Sequence, residues 1–199
     1  MKNDSIKIIG LTGGIGSGKT TVAKMFEALE IPIYVADEAA KQLVNSSASL
    51  RKAIVGLLGA NAYKNETLDR SWVAQEVFND AEKLQQLNAI IHPAVAKDFN
   101  AWVAKQQGPY CMKEAAILFE SGADKNCDAI IVVTAPESVR IARVVERDGS
   151  DEAAVRARMK HQLSDAERVS KADYVIENLH LEETKKQVEA VHRMLIKMP

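Results

Sequence analysis

Short apolar runs alternate with longer amphipathic stretches along the chain, and each pattern predicts a different element. Continuous apolar runs that end at glycine, proline or a polar cluster are typical of strands buried on both faces. The five segments with this pattern are "IKIIGLT", "IPIYVAD", "PYCMKEAAIL", "CDAIIVVTA" and "ADYVIEN". Strands separated by helices imply a parallel sheet covered on both faces. The sequence therefore predicts a three-layer α/β fold with a parallel five-stranded sheet.

Apolar residues at helical spacing fill most of the remaining sequence. Residues 38–107 have no strong strand signal, and we expect them to be helical throughout, as an insertion at one sheet edge. Within them, the amphipathic pattern of residues 82–107 is interrupted at His92-Pro93, where we expect a helix break. A charged helical stretch is expected at about 151–170.

Composition and charge narrow the class of protein. The 199 residues carry 26 Lys and Arg against 27 Asp and Glu, so there is no global attraction to nucleic acid or to acidic membranes. Cys111 and Cys127 lack metal-ligand spacing, and the histidines are scattered, so we expect reduced thiols and no zinc site. We also expect no signal peptide, no membrane span and a cytoplasmic location.

A glycine-rich segment, "GLTGGIGSGKTT" at 10–21, follows the first predicted strand and opens a predicted helix. Its part from Gly13 to Thr20 matches G-x-x-x-x-G-K-[ST]. Glycines let successive N–H groups point at phosphate oxygens, and the helix N-terminus adds further donors. Lys19 would reach the β- and γ-phosphates, and the Thr20 hydroxyl would coordinate Mg²⁺. The predicted nucleotide-binding residues are Gly14, Ile15, Gly16, Ser17, Gly18, Lys19, Thr20 and Thr21.

A phosphate-binding loop alone does not distinguish a kinase from a switch or a motor. A guanine-specific switch needs an NKxD-type sequence after a late strand, whereas "KNCD" at 125–128 has the wrong order and precedes its strand. A motor ATPase needs a strand that ends in adjacent acids, which this sequence lacks. A protein that only changes its binding partners in response to ATP would not need a separate helical insertion such as the one expected at residues 38–107. These comparisons favour a small-molecule kinase.

A kinase also needs a base for the acceptor hydroxyl, and Asp37 follows the second predicted strand at the same sheet edge as the glycine loop. The alternative is that Asp37 is the N-cap of a helix that begins near Glu38. Glu114 lies in an apolar strand, where a charge needs a partner, so it could orient Mg²⁺ through water or hold the acceptor. His92 precedes a proline and could simply mark a boundary near the surface.

Basic residues follow the fourth predicted strand. Arg140, Arg143 and Arg147 share one helix face, and further cations are Arg156, Arg158, Lys160 and Arg168. For most of them we favour a solvated face with ion pairs along the helix. One or two could form a lid that closes on ATP.

These segments together resemble the dephospho-coenzyme A kinase family over nearly the whole chain. The resemblance depends on the glycine loop followed, in the family's order, by "VADEAAKQLV", "LNAIIHPAV", "EAAILFESG", "VVTAPESVRIARVVERDG" and "ADYVIEN". It implies transfer of the ATP γ-phosphoryl group to the ribose 3′-hydroxyl of dephospho-CoA, with Mg²⁺. A kinase for another nucleoside or nucleotide acceptor is the alternative.

The resemblance also implies roles for individual residues. Asp37 matches the family's catalytic base, His92 its His-Pro, and Leu118 its L-L-F-E ending. The predicted substrate-binding residues are Asp37, Lys41, His92, Glu114 and Leu118. Arg143 and Arg147 match arginines associated with the lid and ATP, and we expect Arg143 to take part in catalysis. The domain prediction is a core of 1–37, 108–147 and 171–199, an acceptor-binding insertion at 38–107 and a lid at 148–170. We expect a monomer or a weak homo-oligomer.

Four positions depart from the family's pattern. Val35 replaces the first acid of the motif that contains Asp37, and Lys41 replaces its arginine, so the bidentate fork is lost there although the charge remains. Ala116 stands where the family has proline. The family's N-x-G after the last strand becomes Asn178-Leu179-His180, which puts an adenine contact by that loop in doubt. None of these changes lies in the glycine loop.

Overall fold

A computed structural model describes residues 6–78, 80–160 and 162–198, so His161 lies outside the described residues. The strands, in chain order, are β1 Lys7–Thr12, β2 Ile33–Val35, β3 Tyr63–Lys64, β4 Thr67–Leu68, β5 Tyr110–Glu114, β6 Ala129–Thr134 and β7 Tyr174–Glu177. The α-helices are α1 Lys19–Glu27, α2 Ala36–Ser46, α3 Ala48–Leu58, α4 Arg70–Phe78, α5 Ala81–Val103, α6 Glu137–Asp148, α7 Glu152–Lys160, α8 Asp165–Ser170 and α9 Leu181–Ile196.

Five strands form one parallel sheet in the order β2-β5-β1-β6-β7. The predicted parallel five-stranded sheet with helices on both faces is therefore confirmed. Glu114, the last residue of β5, lies opposite Leu11 of β1 and Val35 of β2. Because the strands are parallel, their carboxyl ends lie at one edge, where open α/β sheets bind ligands. The glycine loop begins at this edge, directly after β1.

The Cα positions divide the chain into two compact units, Met1–Val35 with Gln106–Pro199 and Ala36–Lys105. In the first unit, α1 and α9 cover one face of the sheet. Phe26 and Val22 of α1 and Leu195 of α9 pack in one buried cluster with strand residues such as Leu11 and Met112. The strand residues of this cluster lie at alternating positions, as expected for one face of a sheet.

The second unit contains α2 to α5 and a short hairpin formed by β3 and β4. The prediction that residues 38–107 are helical throughout is therefore wrong. Asn65 and Glu66 connect the two strands with positive φ values of 48° and 65°. Asn adopts this backbone region more readily than most residues, and both conformations suit a two-residue hairpin turn. Since each strand is only two residues long, the apolar pattern gives no strand signal.

The predicted helix break at His92-Pro93 is also wrong, because α5 continues through both residues from Ala81 to Val103. A proline inside a helix removes one backbone hydrogen bond. Here Leu87 before the proline and Val95 and Phe99 after it are buried, so packing on both sides of Pro93 favours continuation of the helix.

The charged stretch after α6 falls into two helices. Gly149, with φ of 64°, ends α6 in the left-handed conformation that favours glycine. A capping box begins α8: the Ser164 hydroxyl accepts from the Glu167 N–H, and the Glu167 carboxylate accepts from the Ser164 N–H. The capping box thus fixes the start of α8.

Within the described residues no helix combines the length and apolar character needed to cross a bilayer. Cys111 and Cys127 are free thiols, as predicted. Burial raises the pKa of each to about 11, so both stay protonated at neutral pH.

Candidate active site

The glycine loop joins β1 to α1 at the carboxyl edge of the sheet. Gly16 and Gly18 have φ values of 78° and 86°, in the left-handed region, and Gly18 is the N-cap of α1. The Ser17 N–H donates to the Gly14 carbonyl at 3.1 Å, which closes a tight turn. Glycines with positive φ in a loop that ends at a helix N-terminus are typical of phosphate-binding loops.

Neighbouring elements approach the loop so closely that a methyl group at any of its four glycines, Gly13, Gly14, Gly16 and Gly18, would collide with them. A methyl group at Gly14 would meet the Arg140 guanidinium, and one at Gly16 would meet the Arg140 carbonyl oxygen. A methyl group at Gly18 would meet the Asn178 side-chain amide. The glycines are therefore required by packing against α6 and the residue after β7, in addition to any contact with phosphate.

Lys19, the first residue of α1, lies between the loop and a buried carboxylate. Its Nζ donates to the Gly13 carbonyl at 3.1 Å and lies 3.9 Å from Glu114 Oε1. Glu114 is 7% exposed, so the lysine compensates a charge that would be unfavourable alone. The expectation that this acid needs a partner is thus met by Lys19, the residue predicted to bind the β- and γ-phosphates.

Thr20 lies beside Lys19 with an exposed side chain at the start of α1. The described residues contain no group of three or more His, Cys, Asp or Glu side chains that could hold a metal ion. Mg²⁺ in kinases is usually held by one or two protein oxygens together with phosphate oxygens and water. The hydroxyl of Thr20, next to a phosphate-binding loop and with Glu114 beside Lys19, fits such a site.

Arg143 connects α6 to the end of β7 and to the glycine loop. Its Nη2 donates to the Asn178 carbonyl at 2.9 Å, and the Asn178 Nδ2 donates to the Ser17 carbonyl at 3.0 Å. The Thr184 hydroxyl donates to Asn178 Oδ1 at 3.1 Å. The Asn178 side chain is therefore engaged in holding the loop. An open cavity of about 190 Å³ next to it is bordered by Gly18, Thr21, Arg143, Asn178, Leu179 and Leu181.

Two of the other predicted cations are buried instead of solvated. Arg140 is 4% exposed and Arg168 is 2% exposed, and both donate to Asp165, which lies at the start of α8. The solvated face that was favoured for most of these cations therefore does not include Arg140 and Arg168. The spacing of three residues between Asp165 and Arg168 was the available signal, but the same spacing is also usual on exposed helix faces. Helical spacing cannot reveal that Asp165 meets Arg140 of another helix.

Arg147 has the solvated environment that was favoured for most of these cations. Its side chain is 65% exposed and forms two hydrogen bonds with Asp148, which raise the pKa of Arg147 and lower that of Asp148. Leu118, predicted to contact substrate, is fully buried, and a methyl group at Gly10 would contact its side chain. This position is typical of a core residue, and its contact with substrate stays a prediction.

The remaining predicted site residues belong to the second unit. Asp37 lies two residues beyond β2, exposed in the first turn of α2, which begins at Ala36. Asp37 is therefore inside the helix and is not its N-cap. Lys41 pairs with Glu38 at 2.5 Å on the same helix, and His92 is half-buried in α5. The roles of Asp37, Lys41 and His92 toward an acceptor stay predictions.

Known proteins resemble the chain in sequence and in structure. A family model described as dephospho-CoA kinase matches residues 7–183. A dephospho-CoA kinase of Salinibacter ruber is 44% identical over 176 residues, which cover 85% of this chain and 87% of that protein. A crystal structure from Thermus thermophilus superimposes with a TM-score of 0.88 at 30% identity, over 98% of this chain and 100% of that one. The dephospho-CoA kinase of Campylobacter jejuni superimposes with a TM-score of 0.70 at 24% identity over 96% of this chain and 97% of its own, which supports the fold alone.

Proposed function

Because the chain belongs to the dephospho-CoA kinase family, we propose that it transfers the γ-phosphoryl group of ATP to the ribose 3′-hydroxyl of dephospho-CoA, with Mg²⁺. The products are coenzyme A and ADP. The observation that carries the proposal is the glycine loop with Lys19 and Glu114 at the carboxyl edge of the sheet, in a chain that matches the family model over residues 7–183.

The donor side of the reaction depends on the first unit. The glycine loop and the N-terminus of α1 bind the phosphates of ATP, and Lys19 contacts the β- and γ-phosphates. The Thr20 hydroxyl is the protein ligand of Mg²⁺, which neutralises phosphate charge when it is bound. Glu114 keeps Lys19 oriented toward the loop. Arg143 contributes a cation beside Gly18, where its buried Nη1 has no hydrogen-bond partner among the described residues.

The acceptor side depends on residues of the second unit. Asp37 accepts the proton of the 3′-hydroxyl as the hydroxyl oxygen attacks the γ-phosphorus and the bond to the ADP oxygen breaks. Lys41 and His92 bind the acceptor, and Lys41 acts as a point charge because it lacks the fork of an arginine. Such sites work almost wholly through positioning and electrostatic stabilisation.

A coupled assay tests the proposed function. The full chain is incubated with MgATP and either dephospho-CoA or a panel of nucleosides and nucleoside monophosphates, and ADP release is followed. Among these acceptors, we expect ADP release only with dephospho-CoA. Phosphorus NMR of the product should show a new 3′-phosphomonoester. Turnover only with members of the panel would contradict the proposal, as would a phosphate at another position of the ribose.

A further inference from the structure

Two buried guanidinium groups lie together against the glycine loop, and we refer to Arg140 and Arg168 as the arginine pair. Asp165 bridges them, since its Oδ2 accepts from Arg140 Nη2 at 2.5 Å and its Oδ1 accepts from Arg168 Nη1 at 3.3 Å. A methyl group at Gly14 would contact Arg140 Nη1, and it would lie 3.1 Å from Arg168 Nη1 and 3.3 Å from Asp165 Oδ1. The pair therefore borders the loop at Gly14.

The arginine pair has more hydrogen-bond donors than its surroundings accept. Arg140 Nε and Arg168 Nε and Nη2 are buried without a hydrogen-bond partner among the described residues. Glu120 lies 3.7 Å from Arg168 Nη2 and compensates its charge, while the same carboxylate oxygen accepts the Leu163 N–H at 3.2 Å. Buried donors without acceptors are rare in folded proteins. An anion with several oxygens would satisfy these donors.

A cavity gives such an anion access to the arginine pair. It has a volume of about 470 Å³ and is bordered by both arginines, by Asp165 and by Gln162. The Gln162 Oε1 accepts the Ile15 N–H of the glycine loop at 3.0 Å, so the cavity and the loop share a neighbouring residue. Guanidinium groups bind phosphate through paired hydrogen bonds, and arginine suits this geometry better than lysine does.

We propose that the arginine pair is a second phosphate-binding element, which contacts the terminal phosphate of the bound nucleoside triphosphate. Asp165 is its positioning residue, because two neighbouring guanidinium groups repel each other unless an anion lies between them. The identification of the nucleotide as ATP rests on the proposed function. Since only the triphosphate carries the third phosphate, the pair should distinguish ATP from ADP.

The experiment compares nucleotide affinities in the full chain without acceptor. Titration calorimetry measures the Kd of the Mg²⁺ complexes of ADP and of the non-hydrolysable imido analogue of ATP. We expect Arg168→Gln to weaken the triphosphate analogue about 10- to 100-fold and ADP less than about threefold, because charged hydrogen bonds to one phosphate are lost. Arg168→Lys should lie between Arg168→Gln and the wild type, since the charge remains without the fork.

Arg156→Gln is the matched control. Arg156 borders the same cavity, but it is half-exposed and pairs with Glu137 and Glu152. We expect both Kd values to stay within about twofold, as for other exposed ion pairs. An equal loss of affinity for both nucleotides in Arg168→Gln, or the same selective loss in Arg156→Gln, would overturn the inference.

Thermal melting checks that each variant is folded. If Arg168→Gln does not melt cooperatively, Arg140→Gln carries the same test, because it removes the other guanidinium group of the pair. The acceptor is absent from these titrations. If the wild-type chain does not phosphorylate dephospho-CoA, the proposed function is overturned. The ratio of the two nucleotide affinities can still be measured and still tests the arginine pair.

Discussion

The side-chain oxygen of Gln162 accepts a hydrogen bond from the main-chain N–H of Ile15 at 3.0 Å. Ile15 belongs to the glycine loop, whereas Gln162 lies in the connection between α7 and α8. The segment predicted to be a lid is thus bound directly to the loop that is proposed to hold phosphate. This contact joins residues separated by 147 positions in the chain.

We expect Gln162→Ala to speed hydrogen exchange at the Ile15 N–H by about fivefold to tenfold in the absence of nucleotide, since one hydrogen bond of typical net strength is lost. Exchange measured by NMR, or by mass spectrometry of the loop peptide, checks this. Asn45→Ala is the matched control, because Asn45 Oδ1 accepts the Leu68 N–H at 2.8 Å within the second unit. Unchanged exchange at Ile15 would show that this contact does not protect the loop.

Hydrophobic patterning predicts the sheet well because its strands are short, apolar and bounded by turn residues. The glycine loop is also predictable, because all residues of its motif are consecutive in the sequence, from Gly13 to Thr20. The hairpin at Tyr63–Leu68 could not be predicted in this way, because two-residue strands show no period. The continuation of α5 through Pro93 depends on tertiary packing, which overrides local preference.

Site residues that depend on contacts between distant elements are the hardest to predict. In the sequence, Arg140 and Arg168 have the spacing of ordinary helix-surface cations. Only the fold brings both of them to Asp165. Asn178 likewise gives no sign in the sequence that its side-chain amide donates to the Ser17 carbonyl. Both cases involve side chains whose partners lie on other elements.

Substitution of Lys19 or Glu114 tests the donor site. Lys19→Ala should lower both ATP affinity and kcat by about 100-fold or more, because its charge acts on the phosphates before and during transfer. Glu114→Gln should lower kcat/KM for ATP by about tenfold, since it removes one charged partner of the lysine and keeps the shape. Steady-state kinetics with dephospho-CoA measure both effects. Lys24→Ala, an exposed lysine of α1, is the control, and a full rate for Lys19→Ala would contradict the phosphate role.

Asp37→Asn tests the proposed base. The amide keeps the size of the side chain but cannot accept the proton, so we expect kcat to fall by about 10² to 10⁴ with less than about threefold change in KM for ATP. Glu82→Gln is the control, because Glu82 is exposed in the first turn of α5, another helix of the second unit, and accepts a hydrogen bond from the Gln86 side chain. A rate near that of the wild type in Asp37→Asn would rule out Asp37 as the base.

Two Gly→Ala substitutions distinguish the effect of a steric collision from the effect of reduced backbone freedom. At Gly14 the added methyl group would collide with Arg140 Nη1, so we expect Gly14→Ala to displace the arginine pair and lower kcat/KM for ATP by at least about tenfold. At Gly56, inside α3, the methyl group meets no atom within 4 Å. Gly56→Ala should therefore stabilise the protein by about 0.5–1 kcal/mol and leave activity unchanged. Chemical denaturation and steady-state kinetics of both variants measure these effects, and normal kinetics in Gly14→Ala would contradict the tight packing.

The contact between Tyr110 and His192 makes stability depend on pH. The Tyr110 hydroxyl lies 2.7 Å from His192 Nδ1, and burial, followed by the nearby charge of Arg193, lowers the pKa of His192 below its usual value. Below about pH 6.5 the unfolded chain therefore binds a proton at this position more readily than the folded chain does. The stabilising contribution of His192 is present above the unfolded pKa and is lost as pH falls toward the lowered pKa of the folded state.

We expect the free energy of unfolding of the wild type to fall between pH 6.5 and 5.5, with a slope from this residue of at most about 1.4 kcal/mol per pH unit. His192→Asn should show a smaller slope, because asparagine keeps an acceptor near Tyr110 but does not titrate. Urea denaturation at pH 5.5, 6.5 and 7.5 measures the free energy of unfolding of each protein at each pH. His180→Asn is the control, since His180 is exposed and its substitution should leave the wild-type slope unchanged. Carboxylates titrate at lower pH and contribute equally to all three proteins, so equal slopes in wild type and His192→Asn would show that the histidine is not the source.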